Sequence, residues 1–205
     1  TVLDIGANIG YYTLIFARLV GPSGRVYAFE PDPINFEYLQ KTIQRNGFTN
    51  VELFNNALGD KDGEAFLYLS ESNKGDHRMY NVKNEKREQI GIRINKLDTV
   101  FEKKDISIDI IKMDVQGAEG MVLDGAEKII ESNPSMVMYT EFWPEGLKNS
   151  GSDPRKVFSL LKDRFDMYEI IEKDGKVIKI QDRDLFIKKY SGRKYANIIC
   201  RPIKK

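Results

Sequence analysis

This sequence has few cysteines and almost no net charge. Its 205 residues include one cysteine, Cys200, and 32 lysines and arginines against 31 aspartates and glutamates, for a net charge of +1. A single cysteine excludes an internal disulfide, a CxxC redox pair and a cysteine-based zinc cluster, so we expect Cys200 to be buried for packing. A balanced charge gives no field that would hold a nucleic-acid backbone or an anionic membrane, and we predict neither partner.

Long apolar runs and targeting signals are also missing. No stretch approaches the roughly 20 apolar residues needed to cross a bilayer, and we expect no secretory leader. Together with the lone cysteine, these absences predict a cytoplasmic protein. The chain opens at Thr1 on an apolar strand without an initiator methionine, so we expect further residues upstream. The length suits one hydrophobic core, and we predict a single domain over residues 1–205.

What the sequence does contain is an alternation of strand and helix patterns. Residues 1–5 and 25–30 are short apolar runs typical of buried strands, and each is followed by apolar residues at helical spacing. Asp32 is positioned to cap the second helix, and Asn46 with Gly47 ends it. A third strand follows within 50–60. This βαβαβ order predicts a parallel sheet with a ligand crevice at the carboxyl ends of its strands.

Residues 60–95 interrupt this rhythm. The segments 63–70 and 90–95 alternate like exposed strands, and the polar stretch 71–89 between them predicts a mobile loop near the crevice. Beyond it we predict buried strands ending at Asp114 and Phe142, and one helix over 117–132.

The last third of the chain completes the pattern. Asp153 and Pro154 begin a helix, and the C-terminal segments form strands, with the sequence KDGK as a turn.

The first strand runs into the glycine turn Gly6-Ala7-Asn8-Ile9-Gly10. A dinucleotide site requires a third glycine and bare backbone beside the pyrophosphate, and Asn8 supplies a side chain there instead. S-adenosylmethionine has a sulfonium and an ammonium in place of phosphates, so Asp4 would be favourable beside it. Glu30, at the end of the second strand, is placed to hold ribose hydroxyls. We expect the glycines to make room for this cofactor; close packing of the turn is the alternative.

Five segments resemble the FkbM family of S-adenosylmethionine-dependent methyltransferases: VLDIGANIGYYTLIFA, VYAFEPDPINFEYLQ, NNALGD, LDTVF and IKMDVQGAEGMVLDGA. The last is similar to the family's K-x-D-V-E-G-A-E block, with Gln116 in place of an acid, at a position that we expect to face solvent. The resemblance implies a Rossmann-like class I methyltransferase fold. This is a three-layer α/β sandwich with a mostly parallel seven-stranded sheet and an antiparallel last strand.

The resemblance also implies the cofactor and its contacts. The cofactor is S-adenosylmethionine, and the reaction is O-methylation of a hydroxyl on a sugar or polyketide-like molecule. Carried over residue by residue, it places Asp4, Gly6, Asn8 and Gly10 at the methionine end, Glu30 at the ribose, and Asn56 with Ala57 beside the adenine.

Methyl transfer to a hydroxyl also needs a group that removes the proton. Asp114 and Glu141 end neighbouring predicted strands and are candidate catalytic acids or bases, or ligands for Mg²⁺. His77 is the alternative base, oriented by Asp76. The acceptor-binding candidates are Arg78, Glu119 and Trp143.

Two other functions stay open at this point. A nicotinamide or nucleotide-sugar oxidoreductase uses a similar sheet, and a methyltransferase-like fold is also compatible with a non-catalytic binding module.

Overall fold

A computed structural model describes residues 1–82 and 85–203. The predicted loop 71–89 includes positions 83 and 84, and the predicted domain 1–205 includes 204 and 205, which lie outside the described residues. The elements in chain order are β1 (Val2–Ile5), α1 (Tyr11–Leu19), β2 (Val26–Phe29), α2 (Pro33–Arg45), β3 (Val51–Phe54), β4 (Ala57–Leu58), β5 (Gly63–Leu69), β6 (Glu88–Asn95), α3 (Leu97–Val100), β7 (Ile110–Met113), α4 (Glu119–Asp124), α5 (Glu127–Ser132), β8 (Val137–Phe142), α6 (Pro144–Asn149), α7 (Pro154–Lys162), β9 (Phe165–Ile171), β10 (Lys176–Lys179), α8 (Arg183–Lys189) and β11 (Ala196–Pro202).

The main sheet has eight strands in the order β10-β9-β11-β8-β7-β1-β2-β3. The five neighbouring strands β8, β7, β1, β2 and β3 are parallel to one another, and β11 lies antiparallel between β8 and β9. The predicted mostly parallel sheet with an antiparallel last strand is confirmed. The eighth strand, β10, pairs antiparallel with β9 at the edge of the sheet.

Alternate residues of the central strands pack into separate hydrophobic clusters on the two faces of the sheet. Leu3 and Ile5 belong to the largest hydrophobic cluster, whereas Val2 packs with Ala17 of α1 on the other face. This alternation follows from the two-residue period of a strand, and it buries both faces of the sheet. Cys200 belongs to the largest cluster and is fully buried, as predicted.

A second sheet of three strands, in the order β4-β6-β5, stands beside the first. Strands β5 and β6 form an antiparallel pair, with Gly63 opposite Ile94 at one end and Leu69 opposite Glu88 at the other. Residues 70–80, which follow β5, lead back toward the carboxyl ends of β1 and β2, where Lys74 contacts Asn8 and Asn35.

The predicted helix over 117–132 is two helices, α4 and α5. Gly125 lies between them and its carbonyl oxygen accepts the backbone N–H of Asp98 at 3.0 Å. Only glycine fits there, because a Cβ would lie 1.9 Å from the carbonyl oxygen of Gly59. The new N-terminus of α5 is satisfied by Asp98, whose carboxylate accepts hydrogen bonds from the backbone N–H groups of Lys128 and Ile129. Gly59 and Asp98, which make these contacts, are both distant in sequence from the two helices.

Candidate active site

The turn between β1 and α1 is built from left-handed residues. Gly6, Asn8 and Gly10 have φ values of +77°, +51° and +93°. A Cβ on Gly6 would lie 1.9 Å from the backbone oxygen of Asp114, and one on Gly10 would lie 2.7 Å from Leu39 Cδ1. Close packing therefore requires both glycines, and the expectation that they also make room for the cofactor stays a prediction.

Glu30, which follows β2, is held by this turn. Its Oε2 accepts the backbone N–H of Asn8 at 2.8 Å, and its Oε1 accepts that of Asp32 at 2.9 Å. The side chain is 5% exposed. Burial raises the pKa of Glu30 to about 7, although the two N–H groups favour the charged form.

A cavity of about 370 Å³, here called the cofactor cavity, opens above the turn at the ends of β1, β2 and β7. Asp4 and Gly10 do not border it. Asp4 is fully buried, accepts a hydrogen bond from Thr13 Oγ1 at 2.6 Å, and lies 3.1 Å from Lys112 Nζ. The predicted cofactor residues that line the cavity are Gly6, Asn8, Glu30, Asn56 and Ala57.

The chemistry of the cofactor cavity fits S-adenosylmethionine. The Glu30 carboxylate provides hydrogen-bond acceptors for a ribose diol, and the apolar side chains of Phe29, Leu67 and Met79 line the wall on which an adenine would pack. The Asn8 side chain stands in the turn where a dinucleotide pyrophosphate needs bare backbone.

Residues 70–80, here called the covering segment, lie over the cofactor cavity, which Lys74, Gly75, His77 and Met79 help to line. The carbonyl oxygen of Lys74 accepts hydrogen bonds from the side-chain amides of Asn8 (3.3 Å) and Asn35 (3.2 Å). These bonds tie the segment to both the glycine turn and α2.

His77 is part of the same closure. Its Nδ1 accepts the backbone N–H of Ser70 at 3.0 Å, and its Nε2 lies 3.3 Å from Asp32 Oδ2. Burial lowers the pKa of His77, although the neighbouring Asp32 opposes the shift. The expectation that Asp76 orients His77 is wrong, because Asp32, which also caps α2 as predicted, does so. His77 lines only the cofactor cavity, and both of its ring nitrogens are engaged.

A second cavity of about 720 Å³, here called the acceptor cavity, adjoins the first. Glu141, Arg78 and Trp143 border only the acceptor cavity. The residues that border both cavities are Tyr12, Gly75, Lys112, Asp114 and Gln116. These five residues mark the junction through which a group could pass from one ligand to the other.

Asp114 is fixed at the junction by Gln116. The Gln116 side chain has its Nε2 donating to Asp114 Oδ1 at 2.7 Å, and its backbone has a φ of +53°. Gln116 is half-buried, so the expectation that it simply faces solvent omits its contact with Asp114. Glu119 lines neither cavity; its Oε1 accepts the backbone N–H groups of Val115 (3.1 Å) and Gly117 (3.3 Å) and so shapes the turn after Asp114.

Glu141 is a buried carboxyl group beside two others. Burial, together with the negative charges of Glu119 and Asp114, raises the pKa of Glu141 to about 9. Its Oε2 has no hydrogen-bond partner among the described residues. The raised pKa favours the protonated form of Glu141, which can donate a hydrogen bond more readily than it can remove a proton.

The aromatic wall of the acceptor cavity is already packed on one side. The Arg78 guanidinium lies 4.9 Å from the centre of a Trp143 ring, and Trp143 Nε1 donates to the backbone oxygen of Gly192 at 2.8 Å. Arg78 is held in turn by Asp76, with contacts at 2.7 and 3.0 Å. Trp143 is 8% exposed, so only a small part of the ring is available to an acceptor.

Residues 4–172 match the methyltransferase FkbM domain, which accounts for most of the chain. The chain belongs to the FkbM methyltransferase family. A similar protein, the 2-O-methyltransferase NoeI of Sinorhizobium fredii, is 26% identical over 176 residues that cover 78% of this chain and 70% of NoeI.

Solved structures share the fold of this FkbM chain. The crystal structure of methyltransferase FkbM from Methylobacillus flagellatus superposes with a TM-score of 0.57 at 18% identity, covering 98% of this chain and 43% of that one. The chain therefore spans less than half of that protein. A Streptococcus mutans protein in complex with S-adenosylhomocysteine (SAH) superposes at 0.52 with 10% identity, covering 98% of this chain and 88% of that one. Family and fold together identify an S-adenosylmethionine-dependent methyltransferase domain.

The candidate metal ligands of this FkbM site are Asp114 and Glu141. Within residues 1–82 and 85–203, no group of three or more His, Cys, Asp or Glu side chains is arranged to hold a metal ion. Asp114 and Glu141 both border the acceptor cavity, and Mg²⁺ binding by this pair stays a prediction. In the same described ranges, no helix combines the length and apolar character needed to cross a bilayer.

Lys112 is the site residue that sequence reasoning missed. It is 4% exposed within β7 yet borders both cavities. The available signal was a lysine inside the apolar run IDIIKMD, since a lysine is seldom fully buried without a partner. Tyr12 was missed as well, and its signal was a pair of tyrosines directly after the glycine turn.

Proposed function

We propose that this FkbM domain methylates a hydroxyl oxygen of a small polyhydroxylated acceptor, such as a sugar or a polyketide-like alcohol. The observation that carries the proposal is the junction at Asp114, where a cavity suited to S-adenosylmethionine meets a larger polar one. The similarity to a 2-O-methyltransferase supports the choice of oxygen as the methylated atom. Charged side chains and tyrosines line the acceptor cavity, and these groups suit a ligand rich in hydroxyls.

Asp114 is assigned as the general base. S-adenosylmethionine supplies an activated methyl group when bound, so the protein must align the acceptor oxygen and remove its proton. The Asp114 carboxylate borders both cavities and is oriented by Gln116, so it can accept the hydroxyl proton as the new O–C bond forms. Protonated Glu141 donates a hydrogen bond to the acceptor and keeps a second negative charge away from Asp114.

The test is transfer of radiolabelled methyl from S-adenosylmethionine to a panel of glycosides and polyketide alcohols, with Asp114→Asn as the matched control. We expect a labelled product whose methyl is on oxygen and which disappears in the variant. Titration with SAH and NAD on the same samples separates the alternatives, because an oxidoreductase would bind NAD and a non-catalytic module would bind SAH without turnover. Labelling only of nitrogen or carbon would overturn the assignment to oxygen.

The remaining expectations about the whole protein stay predictions. These are a cytoplasmic location, the absence of nucleic-acid partners, and a single domain over 1–205.

A further inference from the structure

Lys112 occupies a position that its ion pair with Asp4 does not fully explain. Its Nζ donates to the backbone oxygen of Gly6 at 2.7 Å and lies 3.1 Å from Asp4 Oδ1. The face of the Tyr12 ring lies on a third side, with Nζ 5.6 Å from the ring centre. A lysine ammonium carries three N–H donors. Gly6 accepts one and Asp4 balances the charge, so at least one N–H remains.

The remaining donor belongs to the junction of the two cavities. Lys112 borders both cavities, although it is 4% exposed. Its charge also reaches the cofactor side, where it opposes the rise in the pKa of Glu30. Neutralising Asp4 alone would not require the ammonium to border the space where the ligands meet.

We infer that Lys112 binds the amino-acid carboxylate of S-adenosylmethionine through this third N–H. The inference rests on the proposed function and names a contact of the same site. Of the polar groups at the methionine end of the cofactor, the sulfonium and the ammonium are repelled by Lys112, and the carboxylate alone attracts it. The cofactor carboxylate adds the attraction between opposite charges, which a neutral acceptor hydroxyl does not offer, and this favours the cofactor over the acceptor as partner.

The test compares two ligands that differ only in this carboxylate: SAH and its decarboxylated analogue, S-adenosyl-3-thiopropylamine. The variant Asp4→Asn/Lys112→Met removes both charges of the buried pair, so that no lone carboxylate is left inside. The matched control is Asp4→Asn alone, which keeps Lys112. Calorimetric titration gives the affinity of each protein for each ligand.

We expect the double variant to bind SAH about 10- to 100-fold more weakly than the control, the range expected for one charged hydrogen bond. We expect the decarboxylated analogue to bind the two proteins equally within about threefold, because such a cycle isolates one contact. An equal loss for both ligands, or unchanged SAH affinity, overturns the inference. Failure of the unmodified protein to bind SAH would instead overturn the proposed function.

A measurement on the unmodified protein covers the case in which the double variant does not fold. The Lys112 ammonium resonance, assigned with Lys112→Arg, should shift on addition of SAH and shift much less with the decarboxylated analogue. Equal shifts with the two ligands would contradict the contact.

Discussion

Replacing Gly6 with alanine should destabilise the fold, whether or not a ligand is present. Alanine at a φ of +77° costs about 1 to 2 kcal/mol through the left-handed backbone alone. The added Cβ would also lie 1.9 Å from the backbone oxygen of Asp114, which cannot rotate away as a side chain could. Overpacking of this kind adds about 1 to 3 kcal/mol, so we expect a total loss of about 2 to 5 kcal/mol.

Gly21→Ala is the matched control for this prediction. Gly21 has a φ of +69°, and no atom lies within 4 Å of the place that an added Cβ would take, so the variant isolates the backbone cost. The free energy of unfolding is measured by urea denaturation of the ligand-free proteins, followed by circular dichroism. If the two variants lose the same stability within about 0.5 kcal/mol, the additivity error of such comparisons, then contact with Asp114 is not what requires glycine at position 6.

Three further predictions concern the site. Glu30→Ala should weaken SAH binding by about 1.5 to 3 kcal/mol, because it removes charge-assisted hydrogen bonds to the ribose. In the parent protein, SAH affinity should fall as the pH drops below about 7, where Glu30 becomes protonated. An SAH affinity that does not change with pH would contradict this role. Asp114→Asn should keep SAH affinity within a few-fold but slow methyl transfer by at least about 100-fold. If EDTA abolishes the activity of the parent protein and Mg²⁺ restores it, Asp114 is a metal ligand and not the general base. His77→Ala should weaken SAH binding, because it loosens residues 70–80 over the cofactor cavity, but the acidic limb of the pH–rate profile should be retained. A flattened limb would identify His77 as the base after all.

The features of this fold that could be predicted from the sequence are those that depend only on residues close to one another in the chain. The strands 1–5 and 25–30, the glycine turn and the Asp32 cap each depend on neighbouring residues, and each lies where it was expected. The prediction of one helix over 117–132 was wrong because Asp98, which is distant in sequence, makes hydrogen bonds on both sides of the break, to Gly125 and to the start of α5.

The same distinction separates the predicted from the unpredicted parts of the site. Glu30 follows an apolar strand and could be assigned from spacing alone. Two contacts of the site join residues far apart in the chain: Lys112 with Gly6, and His77 with Asp32. No local sequence pattern predicts either contact. Arg78 covering Trp143 is a contact of the same kind, which only the folded structure brings about.

The position of β11 has a consequence for how the chain is synthesised. Residues 196–202 come after every other strand in sequence, yet they fill the slot between β8 and β9. Until they leave the ribosome, β8 and β9 each present an unpaired edge, and exposed edges invite pairing with other chains. At about 5 to 20 residues per second, the interval between completion of β9 and arrival of β11 lasts seconds. We expect nascent chains stalled within this interval to require chaperones, and chains released before residue 196 to aggregate.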